Sequence, residues 1–134
     1  MHMKKTIKNE QGQTMTELAL VLPILTVLLF GIVQFGIIFN NYVALTDAAR
    51  AASRKGAVSR SSGNPKGDCE AAGYAAGVNL NNPGTDFVVT CTPSASWAAG
   101  SDVTVTATYP YNVSLLGWVV ASGTLTTTMK ERVE

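Results

Sequence analysis

The chain has 134 residues, and its ten lysines and arginines against nine aspartates and glutamates leave a formal net charge of +1, so its charge balance supplies no basic footprint for nucleic acid. One histidine, His2, and two cysteines fall short of a metal site and of the common nucleophile–base pairs. No metal, no cofactor and no catalytic residue is expected, and the chain reads as a non-enzyme.

Lys4, Lys5 and Lys8 lead into Gly12-Gln13-Thr14-Met15-Thr16-Glu17. No charged residue then occurs between Glu17 and Asp47, and residues 18–39 form an apolar run as long as the about 20 residues that cross a bilayer. A cleaved secretory signal has an apolar core of only about 7–15 residues with a small-residue site close behind it. Here the small cluster Ala48-Ala49-Arg50-Ala51-Ala52 comes after polar Asn40, Asn41 and Asp47. A buried soluble helix does not fit a long segment that is apolar all round, whereas an uncleaved signal anchor would carry the same lysines and the same span. The leading lysines hold the N-terminus in the cytoplasm and send the C-terminal part outward.

Glu17 stands at the edge of this run, where an ionised carboxylate is costly and calls for a partner. Thr14-Met15-Thr16-Glu17 fits a capping box with Thr14 at the N-cap, and a negative charge suits a helix N-terminus. The helix is expected over residues 14–60, about 70 Å at ~1.5 Å per residue. Pro23 removes one backbone hydrogen bond within it. Beyond Phe39 the pattern turns amphipathic, with Tyr42, Leu45, Ala49 and Ala52 on neighbouring turns. Ala48, Ala52 and Gly56 recur every fourth position as a stripe of small side chains that lets another element approach closely; packing against the chain's own exported module is preferred over an intersubunit groove.

Residues 59–67 read as a loop by composition, and residues 68–80 as a short helix ended by Asn81-Asn82-Pro83-Gly84. Strands are expected at 87–92, 103–109 and 124–133. In the second, Val103, Val105, Ala107 and Tyr109 alternate with Thr104, Thr106 and Thr108, one packed face and one wet face. The cluster Tyr109-Pro110-Tyr111 with Leu115-Leu116-Gly117-Trp118-Val119-Val120 is read as a core-packing turn in preference to an exposed apolar contact for a subunit or the membrane. Cys69 and Cys91 both fall in the exported part, where an even count favours a disulfide over a pair of free buried thiols. The fold class is α+β: a long N-terminal transmembrane helix, then a small module with a short helix and about three antiparallel strands.

The junction from Gly12 to Glu17 resembles the processing site of type IV prepilins. The stretch Glu17-Leu18-Ala19-Leu20-Val21-Leu22-Pro23 looks like the opening of TadE-like proteins, the minor pseudopilins of the tight-adherence, or Flp, pilus system. Gly31-Ile32-Val33-Gln34-Phe35-Gly36 and the block from Ala44 to Arg54 are similar to that family's post-proline helix and alanine-arginine segment, and the final ten residues resemble its last strand. Leu18 departs from the family, which commonly has an aromatic residue after the glutamate.

The resemblance implies that a prepilin peptidase cuts between Gly12 and Gln13, making residues 1–12 a leader, 13–60 the transmembrane and spine helix and 61–134 the exported domain. Glu17 becomes the fifth residue of the mature chain, available to neutralise the new Gln13 ammonium of an adjoining subunit and so set register. Implied partners are the peptidase, other pilin or pseudopilin subunits, the pilus assembly machinery of the bacterial inner membrane and the lipid bilayer, with no nucleic acid. The expected function is assembly of an adhesion pilus as initiator, base or tip subunit. A membrane-anchored binding module that is never cleaved is the alternative.

Overall fold

The computed structural model describes residues 10–93, 96–115 and 117–134. His2, Lys4, Lys5, Lys8 and Leu116 lie outside the described residues. The architecture is α+β, as expected: helix α1 (Glu10–Val58), helix α2 (Pro65–Ala76) and strands β1 (Val88–Pro93), β2 (Asp102–Leu115) and β3 (Trp118–Arg132). The strands form one antiparallel sheet in the order β1-β2-β3.

At 49 residues, α1 is about 74 Å long and continues through Pro23. It starts ahead of the expected Thr14. That start corrects the capping-box reading, because Thr14 lies inside the helix and cannot be its N-cap. The ring at Pro23 leaves the Ala19 carbonyl without its usual amide donor; one turn on, the Thr26 hydroxyl donates to the Leu22 carbonyl at 2.8 Å.

The helix changes character along its length. Among residues 18–39 every large apolar side chain except Ile38 is exposed, and Gly12–Val58 contains a window with mean hydropathy 2.5, none of it buried in the protein. The core helix of a soluble domain would bury such a window, so the exposure fits a bilayer as its solvent. From Leu45 onward α1 packs on the module. Leu45, Ala48, Ala49 and Ala52 join Cys69, Leu80, Phe87, Val89, Cys91, Val103, Val105, Ala107 and Val133 in a single core.

Helix α2 begins at Pro65, three residues ahead of the expected Asp68. The Asn64 side chain accepts from the Gly67 amide at 3.1 Å, and Pro65 follows at the first helical position, where its missing N–H costs nothing and its φ is already helical. Composition alone had assigned this Asn-Pro pair to the loop. The helix stops at Ala76 instead of near Leu80, because Gly77 caps it and is covered by the Phe87 ring, which leaves no room for a Cβ.

In the sheet, Val103, Val105 and Ala107 are buried while Thr104, Thr106 and Thr108 are half-buried. The largest departure from expectation is the β2–β3 hairpin. Both strands run past the expected ends at residues 109 and 124, pairing from Asp102↔Arg132 to Leu115↔Trp118 with an irregularity at Val113/Ser114. Gly117, at φ +89°, supplies the left-handed backbone that the tight turn needs. The described part of the 109–120 cluster is therefore a hairpin arm. Trp118 is 80% exposed, Val119 62% and Val120 60%, which overturns the core-packing reading for these three, whereas Tyr109 packs against the core and Tyr111 is half-buried beside Gly123; among the described residues no strand or helix buries the tip of a hairpin that outruns β1.

Candidate processing and assembly site

Gly12, Gln13 and Glu17 all lie in the first two turns of α1. Residues four apart share a helix face, and the Gln13 amide Nε2 donates to Glu17 Oε1 at 3.2 Å. This bond occupies one carboxylate oxygen with a neutral donor. Among the described residues no cation pairs with Glu17, since the ion pairs are Arg50–Asp47 and Lys66–Glu70. The Thr16 hydroxyl donates to the Gly12 carbonyl at 2.9 Å, so the carbonyl of the expected scissile bond is tied into the helix. The backbone at Gly12 is helical, not extended.

The glycine itself is not needed by the fold. A Cβ built on Gly12 meets nothing within 4 Å, and glycine inside a helix is less favourable than alanine by about 0.5–1 kcal/mol. Its physical effect here is to weaken the turn that carries the bond.

The stripe Ala48, Ala52 and Gly56 is buried and faces the module. A Cβ on Gly56 would lie 3.1 Å from Cys69 Sγ and 3.2 Å from Val103 Cγ1, and Cys69 Sγ sits 3.2 Å from the Ala52 carbonyl oxygen. Small residues on α1 thus let α2 and β2 approach the helix backbone. Cys69 and Cys91 form a disulfide across 22 residues, joining α2 to β1 directly over this stripe.

Three acidic residues of the module, Asp68, Glu70 and Asp86, have local structural partners. The Ser62 hydroxyl donates to Asp68, Glu70 accepts from the Cys91 amide at 3.4 Å and pairs with Lys66 at 3.8 Å, and Asn82 donates to Asp86 at 2.6 Å. They brace the loop, the strand and the turn on which they sit.

A protein-family model described as TadE-like protein matches residues 12–54. That segment is similar to TadE-like proteins. The match begins at Gly12, spans the apolar run and ends at Arg54, so the matched segment includes the exposed half of α1 and most of its buried stripe, while α2 and the sheet lie beyond it. What this likeness says of the chain is confined to the matched segment, the membrane-length helix and the stripe that follows it. No curated protein and no solved structure matched the chain.

Sequence reasoning located the Gly12–Glu17 junction but missed the Gln13–Glu17 hydrogen bond and the exposed hairpin arm. The bond was legible in the four-residue spacing. The hairpin had a signal too: no charged residue occurs from Tyr109 to Met129, and Gly117 stands at the middle of that run.

Proposed function

We propose that this TadE-like chain is a minor pseudopilin. A prepilin peptidase cuts it between Gly12 and Gln13, α1 holds it in the inner membrane with the module exported, and the machinery of a tight-adherence pilus draws it into assembly as initiator, base or tip subunit. Its role in this reading is structural. The observation that carries it is a glycine for which the fold has no use, five residues ahead of a carboxylate at the head of an exposed, membrane-length helix. Cleavage creates an ammonium at Gln13. Glu17 of an adjoining subunit neutralises it, and because an unpaired buried charge costs about 3–5 kcal/mol, the pair enforces register along the filament.

Intact mass and N-terminal sequencing of the membrane protein, from cells with and without the peptidase, test this. A peptidase-dependent start at Gln13 is expected. A Met1 start in both strains overturns the reading and leaves an uncleaved anchored module. Gly12→Ala is expected to block the cut while the module folds as before, and Glu17→Ala to be cut and inserted but to fail in assembly. Normal assembly of Glu17→Ala removes the register role.

A further inference from the structure

We infer that the tip of the β2–β3 hairpin is a second membrane contact, resting in the outer interface of the bilayer that α1 spans; this rests on the membrane reading of α1 but not on cleavage at Gly12. The first observation is direction. A Cβ on Gly56 would lie 3.2 Å from Val103 Cγ1, and the Glu134 amide donates to the Ala57 carbonyl at 3.0 Å, so the start of β2 and the end of β3 flank the end of α1 furthest from the span. Four residues on, Ala107 pairs with Val89. Val89 packs over Gly73, where a Cβ would lie 2.8 Å from Val89 Cγ1 and 3.1 Å from Ala52 Cβ. Strand β2 therefore descends along α1 toward the apolar run.

The second observation is reach. Leu45 is the most N-terminal core residue of α1, and Tyr109 and Leu125, paired across the hairpin, pack against the same core. From that pair the ladder continues to Leu115↔Trp118, about 20 Å of strand at ~3.3 Å per residue. From Leu45 back to Phe39, where the apolar run ends, is about 9 Å of helix. With that pair at the lower edge of the core, the tip comes level with Phe39 at any crossing angle up to about 60°.

The third observation is chemistry. From Tyr109 to Met129 there is no charged residue, and Trp118, Val119 and Val120 are exposed. An aqueous hairpin edge is normally guarded by charge, whereas tryptophan beside aliphatic residues is the composition of a membrane–water interface. The ladder also sets the depth. Beyond residue 108 β2 has no β1 partner, and β3 is an edge strand throughout. Open backbone edges do not enter hydrocarbon, so the tip stops among the headgroups and upper acyl chains.

The test uses the full chain, one copy per nanodisc of uncharged phosphatidylcholine, with Trp97→Phe leaving Trp118 as the only tryptophan. Trp118 emission is expected to shift to shorter wavelength in discs, to lose intensity when the acyl chains are brominated near the headgroup, and to resist aqueous iodide equally at low and high salt. Iodide quenching without bromine quenching overturns the proposal. So does protection that appears only with two copies per disc, which would assign the tip to a second subunit. In a second variant, Trp97→Phe/Trp118→Phe/Phe39→Trp, bromine quenching reports the helix: quenching there but not at Trp118 refutes the hairpin contact alone, and quenching at neither refutes the membrane reading itself.

Discussion

The two halves of α1 are one continuous helix with two different surroundings, one half exposed and the other covered by the module. Below Leu45 the helix carries large apolar side chains on every side and leaves all but Ile38 exposed; above it, the buried positions are mostly small, and the module closes over them. The difference teaches that side-chain size, as much as hydropathy, tells where this helix meets protein. A single residue's type does not decide it, since Leu28 is 56% exposed while Leu45, beside the small-residue stripe, is fully buried; the size pattern of the neighbours does. A large residue suits lipid, which deforms around it, while the alanine and glycine stripe admits α2 and β2 at close range.

This contrast is open to direct attack. Leu45→Ala is expected to destabilise the module by about 2–5 kcal/mol, the cost of a buried leucine and the cavity it leaves, whereas Leu28→Ala leaves module unfolding unchanged; denaturant titration of both variants in the same micelles makes the comparison, and equal effects would break it. Opening the Cys69–Cys91 bridge, by Cys69→Ala/Cys91→Ala, is expected to cost about 3 kcal/mol for a loop of this size, read as a lower module midpoint with no change in membrane insertion. The smallest pair sharpens the point for glycines. Gly73→Ala forces the new Cβ toward Val89 at 2.8 Å and is expected to lose about 1–3 kcal/mol by overpacking. Gly31→Ala, with open space around it, is expected to stabilise the helix by up to about 1 kcal/mol, visible as raised helicity on heating.

Much of the layout was legible in the residues. The uncharged run announced the exposed half of α1, and the alternation of Val103, Val105 and Ala107 with threonines announced β2, because period and hydropathy are local properties that survive into the fold. The bounds of α2 were misread because Asn64-Pro65 serves a loop and a helix start equally well until the cap bond to Gly67 exists. The hairpin arm was misread for a different reason. Trp118, Val119 and Val120 have the side chains of a core, and most such residues are buried, but burial requires an opposing surface and the ladder carries these residues beyond the reach of β1.

The sequence by itself determined the membrane-length helix, the Gly12–Glu17 junction at its head and the alternating strand, all of which follow from the order of neighbouring side chains. Only the tertiary structure decided which end of the sheet faces the apolar run, that the small-residue stripe is covered by α2 and β2, and that the charge-free arm projects uncovered. Those outcomes depend on contacts between residues far apart in the chain, Gly56 with Val103 and Ala57 with Glu134, and no local pattern of polarity encodes the direction in which such contacts lay one element upon another.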